Sequence, residues 1–90
     1  MQITFDPVKR DITLRERGLD FADVAAVFAG EFATRPNQRF DHGEDRYVTA
    51  GFLAGRMVIV VWTPRGDTRH IISMRHAHAR EQRRWADDLG

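Results

Sequence analysis

From Arg46 onward the apolar positions cluster as they do in strands. RYVTAGFL, RMVIVVWT and TRHIISMR are three such runs, separated by Ala54-Gly55 and by Pro64-Arg65-Gly66-Asp67. Short turns between strand-type runs predict an antiparallel meander. The β-branched density of RMVIVVWT predicts a central strand covered on both faces. Upstream, QITF at 2–5 reads as a short first strand. Asp6-Pro7 then starts a helix, with Asp6 as N-cap and Pro7 where a missing N–H is harmless. Val8, Ile12 and Arg15 share a face of it, and Gly18 ends it in a left-handed C-cap. Asp20 caps a second helix, on which Phe21, Val24, Ala25 and Phe28 form an apolar stripe at i, i+3, i+4 and i+7. Residues 7–29 are thus expected to be a helical hairpin. A short strand is expected near 32–36, followed by a loop holding Pro36, Asn37, Asp41 and Gly43. A helix is expected over 77–88. The order of strand, two helices, about four strands and a helix predicts an α+β fold: a small antiparallel sheet with helices on one face.

Composition narrows the class. A chain of 90 residues, 42% hydrophobic and 30% charged, is expected to form one domain over 1–90. No apolar run reaches the roughly 18–20 residues of a membrane helix. The segment MQITFDPVKRD has no secretory apolar region, so no membrane partner and a cytoplasmic location are expected. Cysteine is absent, which excludes disulfides and zinc–thiolate sites. Net charge is only +1, but residues 1–45 carry six Lys/Arg against nine Asp/Glu, and residues 46–90 carry eight Arg against four Asp/Glu. Thirteen of the fourteen basic residues are Arg, whose planar fork matches phosphate bidentately. A GC-rich genome would also favour Arg over Lys, but it would not separate the charge between the two halves.

That charge points to the last strand. Strict alternation places Ile72 and Met74 toward the core and Arg69, Ser73 and Arg75 together on the open face. Arg46, at the start of a neighbouring strand, can share that surface. Cutting RNA without a metal requires a base for the 2′-OH, a proton for the leaving 5′-oxygen, and positive charge for the transition state. Arg46, Arg69 and Arg75 are candidates for the charge. His76, His78 and Glu81 are candidates for proton transfer. Ser73, His78 and Arg80 are candidates for RNA contact, and Trp85 for stacking a base. Each residue also has a plainer reading. Arg69 and Arg75 can protect a sheet edge by charge, Glu81 can support its own helix, Trp85 can be core, and His42 beside Asp41 can be solvated. His70, His76 and His78 lack the spacing of a metal site, so neither a metal nor another cofactor is expected.

These residues resemble the BrnT-type toxins of bacterial type II toxin–antitoxin systems, in the RelE/ParE-like superfamily. The resemblance rests on FDPVKR at 5–10, RGLDFADVAAVF at 17–28, RYVTAGFLAGRMVIVVWTPRG at 46–66, and Arg-x-Ile-Ile-Ser-x-Arg-x-Ala at 69–77 followed by Glu81. It implies a RelE-like fold and RNA cleavage that inhibits translation. It also implies neutralisation by a BrnA-type ribbon-helix-helix antitoxin, as a homodimer or a heterotetramer with it, and binding of operator DNA only through that complex. By residue matching, Arg46, Arg69, Arg75 and Glu81 fall on the family's polar positions. Phe5 stands where the family often has Trp, Glu16-Arg17 where it has Lys-His, His76 where it has Lys or Arg, and Trp85 near its tyrosine. Proton transfer would then fall to His76 or His78. Two other classes share the implied fold: a gyrase inhibitor that only binds, and an inactive toxin that only pairs with its antitoxin.

Overall fold

The computed structural model describes residues 1–37 and 43–89. Strand β1 spans Gln2–Phe5. Helix α1, Pro7–Arg17, starts where Asp6 accepts a hydrogen bond from the Val8 backbone N–H, and it ends at Gly18 with φ of 70°. The second helical segment opens as a 3-10 turn over Phe21–Asp23, capped by Asp20, and continues as α2, Val24–Ala29. Strands β2 (Ala33–Pro36), β3 (Tyr47–Leu53), β4 (Arg56–Arg65) and β5 (Thr68–His76) follow, and α3 spans Ala79–Leu89. The sheet order is β1-β5-β4-β3-β2, so β4 is central. Val58, Ile59 and Val60 are buried in succession on β4, as expected of a strand covered on both faces.

Two features differ from the reading of the sequence. The meander β3–β4–β5 is antiparallel, but β1 joins β5 in parallel, so the sheet is mixed. Helices also cover both faces rather than one. On the first face, Leu19, Phe21, Val24 and Val27 pack against Val58, Val60, Trp62, Ile71 and Met74. On the second, Trp85 and Leu89 of α3 pack against Ala50 and Ile59, with Ala77 at the strand end. The reason is the amphipathic character of α3. Its buried residues Glu81, Trp85 and Leu89 recur every four positions, and that stripe is satisfied only by the apolar β2–β3–β4 end of the second face.

Polar contacts hold the helical hairpin together and anchor it to the sheet. Arg10 grips the Asp20 carboxylate with two bonds of 2.9 and 2.8 Å, which together with the Ala22 N–H hold Asp20 below the usual carboxylate range. Arg17, at the end of α1, donates to the Met74 carbonyl of β5 at 2.9 Å. α1 itself buries no residue fully, and Val8, Ile12 and Leu14 remain exposed. Phe28 is half-buried edge-to-face against Phe32 and Trp62. Phe40, Asp41 and His42 lie outside the described residues.

α2 approaches β3 through a missing side chain. A Cβ added at Gly51 would lie 2.6 Å from Val27 Cγ1, inside any real contact. Gly51→Ala is therefore expected to destabilise the protein by about 1–3 kcal/mol through overpacking, read as a lower denaturant midpoint. An unchanged midpoint would mean that α2 shifts freely on the sheet.

Candidate active site

The geometry of β5 decides which side chains can act together. Ile59 pairs with Arg75, Val60 with Met74 and Val61 with Ser73, but Trp62 pairs with Ile71. Ile72 is thus an extra residue, a β-bulge, and past it every side chain changes face. Met74 and Ile71 both enter the first core, which strict alternation forbids. The bulge therefore corrects the expected common face of Arg69, Ser73 and Arg75. Ser73 and Arg75 stay together on the α3 side. Arg69 is sent to the hairpin side, where its guanidinium lies 3.9 Å from the Phe28 ring centroid and 5.1 Å from that of Trp62. Burial there pulls the Arg69 guanidinium below its usual pKa, and its Nε has no hydrogen-bond partner. His76, opposite Val58, shares the face of Met74, with its Nδ1 buried and unpartnered.

On the α3 face Arg75 meets Glu81 in a fork-to-fork pair. Arg75 Nη1 donates to Glu81 Oε1 and Nη2 to Oε2, both at 2.6 Å. The pair lowers the Glu81 carboxyl to about 2, chiefly through the Arg75 hydrogen bonds, against the cost of burial. Glu81 also closes the start of α3. Its Oε1 accepts from the His78 backbone N–H at 3.2 Å, and its own N–H points to His78 Nδ1 at 3.4 Å. This is a capping box in which histidine takes the place of Ser or Thr. With Nδ1 accepting, His78 carries its proton on Nε2, which lies 3.3 Å from Glu81 Oε1. Glu81 thus does support its own helix, and it also fixes Arg75. A carboxylate with so low a pKa is a poor general base.

Arg75 spends three of its five N–H groups, two on Glu81 and one on the His76 carbonyl at 3.4 Å. The other two are available to a phosphate oxygen, and the side chain is 44% exposed. Tyr47 stacks on Trp62 on the hairpin side, so alternation puts Arg46 on the α3 side, with its Nε buried and unpartnered. Arg46, Ser73 and Arg75 thus share the sheet face that α3 leaves partly open. Arg80 is exposed on the first turn of α3. Trp85 is buried, and its ring is covered by the Arg35 guanidinium at 4.4 Å, so it is not presented to a base. Arg35 is held in turn by Asp88. A cleft of about 190 Å³ opens here, lined by Arg35, Pro36, Val48, Glu81, Arg84 and Trp85. Neither Arg35 nor Arg84 was marked by the sequence pattern, because nothing local pairs β2 with α3.

Acid should loosen this arrangement. The Glu81 pKa is depressed on folding, from 4.5 to about 2, so its contribution is complete above pH 4.5 and is lost as pH falls toward 2. The expected loss is roughly 1–2 kcal/mol, below the full linkage value because Arg75 is half exposed. Thermal melts between pH 5 and 2 check this: Glu81→Gln should flatten the slope, and an equally steep slope in that variant would exclude Glu81 as its source.

No curated protein matches the chain. The family described as "Ribonuclease toxin, BrnT, of type II toxin-antitoxin system" matches residues 5–81. That span holds both helices of the hairpin, strands β2 to β5, the last residue of β1 and the Arg75–Glu81 pair. The chain belongs to the BrnT family of ribonuclease toxins of type II toxin–antitoxin systems.

Proposed function

We propose that the protein is an endoribonuclease that cleaves RNA without a metal, on the sheet face that carries Arg46, Ser73 and Arg75. Loss of RNA would inhibit translation in the cytoplasm. The observation that carries this reading is Arg75 itself, fixed by Glu81 with two N–H groups left for a phosphate. Arg46 and Arg75 supply positive charge where the pentavalent phosphorane gains negative charge, and such preorganised donors are worth more at a partly dried surface than in water. Ser73 contacts the RNA backbone between them. Glu81 acts as a positioning residue, with His78 capping its helix and Arg80 at the rim. Arg69 and His76 lie across the sheet and act on the packing of that face.

A type II toxin has an antitoxin partner. We assign that role to a BrnA-type ribbon-helix-helix protein, with operator DNA bound only through the complex. The acidic N-terminal half, whose α1 leaves Val8, Ile12 and Leu14 exposed, is the surface read as meeting it.

The test is a labelled RNA incubated with folded protein in excess EDTA. Cleavage to fragments with cyclic phosphate ends is expected. Cleavage that EDTA abolishes and magnesium restores would overturn metal independence. No cleavage in either condition, with inhibition of gyrase supercoiling instead, would favour the binding-only class.

A further inference from the structure

On the reading above, the sheet face holds charge but lacks a group to take the 2′-OH proton. Glu81 is clamped by Arg75, and His78 spends its Nδ1 lone pair on the α3 cap, which leaves its proton on Nε2. His76 faces the hairpin side. One described histidine is left. His70 pairs with Thr63 on β4 and with Thr4 on β1. Its neighbour Ile71 points into the first core, so His70 points to the α3 side. The same bulge that removes Arg69 from this face puts His70 on it, two pleat positions and about 7 Å along the strand from Ser73. Arg46 precedes Tyr47, the partner of Trp62, and so stands opposite Thr63, two strand spacings or about 10 Å from His70.

We propose that His70 is the proton-transfer residue of this toxin. Thr4 Oγ1 holds its Nδ1 at 2.9 Å, linking the ring to the edge strand. With Nδ1–H donating to Thr4, Nε2 carries the lone pair. In the step, Nε2 takes the proton of the ribose 2′-OH. The 2′-oxygen bonds to phosphorus, the phosphorus–5′-oxygen bond breaks with its electron pair on oxygen, and that oxygen takes a proton from water. The products are a 2′,3′-cyclic phosphate and a 5′-OH, with His70 left as imidazolium until water removes its proton. Arg46 and Arg75 bear the extra charge of the phosphorane. The surroundings favour the neutral ring at the start. Burial lowers the His70 pKa most, Arg65 of β4 and Lys9 of α1 lower it further, and Glu44 before β3 and Asp6 at the α1 cap oppose them.

The experiment measures RNA cleavage in EDTA across pH 4.5–8 for wild type, His70→Ala and His70→Gln, each checked for folding by thermal melt. Wild-type rate should rise through an acid limb and level below neutral pH. Both variants should lose about 10²–10⁴-fold, the usual contribution of a general base. The acid limb should vanish from the residual activity, and added imidazole should restore part of the rate to His70→Ala. Wild-type rate with an unchanged acid limb in His70→Ala would overturn the assignment. If Arg75→Ala is inactive in the same assay, the proposed site would still stand. Residual activity that keeps the limb and ignores imidazole would likewise overturn it. Folded wild type that cuts no RNA would overturn the site reading, and this assignment with it.

Discussion

Arg75→Ala is expected to lower RNA cleavage by about 10²–10³-fold, the cost of removing one preorganised donor from a phosphoryl transition state. It should also abolish growth inhibition at equal expression. The variant does two things at once, which must be separated. It removes two N–H donors from the site, and it leaves the buried Glu81 carboxylate without its main partner. The second effect lowers stability, because an unpaired buried charge keeps its desolvation cost. The double variant Arg75→Ala/Glu81→Gln removes that charge. It should recover much of the melting temperature while staying inactive. Recovery of cleavage along with stability would show that Arg75 is only a structural partner of Glu81. Arg75→Lys should be intermediate in stability and nearly inactive, since an ammonium cannot bind Glu81 with a fork and still present two donors to phosphate. Full activity of Arg75→Ala would remove Arg75 from the site and with it the observation that carries the proposed function.

Trp85→Ala should produce the largest loss of stability, about 3–5 kcal/mol for a buried Trp. That is a large part of the roughly 5–15 kcal/mol that holds a small domain together. Trp85 is 7% exposed and sits between Ala50, Ile59 and Leu89, so α3 has few other anchors. The ring also carries the Arg35 guanidinium, which loses its support. Because Glu81 lies one turn earlier on the same helix, its hold on Arg75 should weaken too, and activity should fall with stability. Denaturant unfolding measures the first effect, and hydrogen exchange over 79–89 shows whether α3 detaches alone or with the whole sheet. Trp85→Phe should keep most of both. If Trp85→Ala left the midpoint unchanged, the second core would contribute nothing and polar contacts such as Arg75–Glu81 and Arg35–Asp88 would hold α3.

Much of this was legible in the chain. Asp6-Pro7 and Gly18 bound α1 as caps because they satisfy or relieve backbone groups locally, with no help from the rest of the fold. The turn at Ala54-Gly55 takes positive φ at both residues, which joins β3 to β4 as the spacing of the two runs implies. The closeness of Arg75 to Glu81, six residues on, was also legible, since a strand end and the next helix start cannot lie far apart. Trp85 was harder. A Trp after a basic helical turn suits either a base platform or a core anchor, and only the apolar patch formed by Ala50 and Ile59 decides between them.

The chain by itself determined the elements, their order and the meander, because caps, turns and apolar period act over a few residues. Tertiary structure alone decided the faces. Ile72 becomes an extra residue because Ile71 and Met74 are both drawn into the first core, and no strand of strict alternation can put them there. That one insertion sends Arg69 behind the sheet and turns His70 toward Ser73 and Arg75. The parallel seat of β1 against β5, which brings Thr4 to His70, was equally unwritten, since residues 66 apart meet only when the whole sheet has closed.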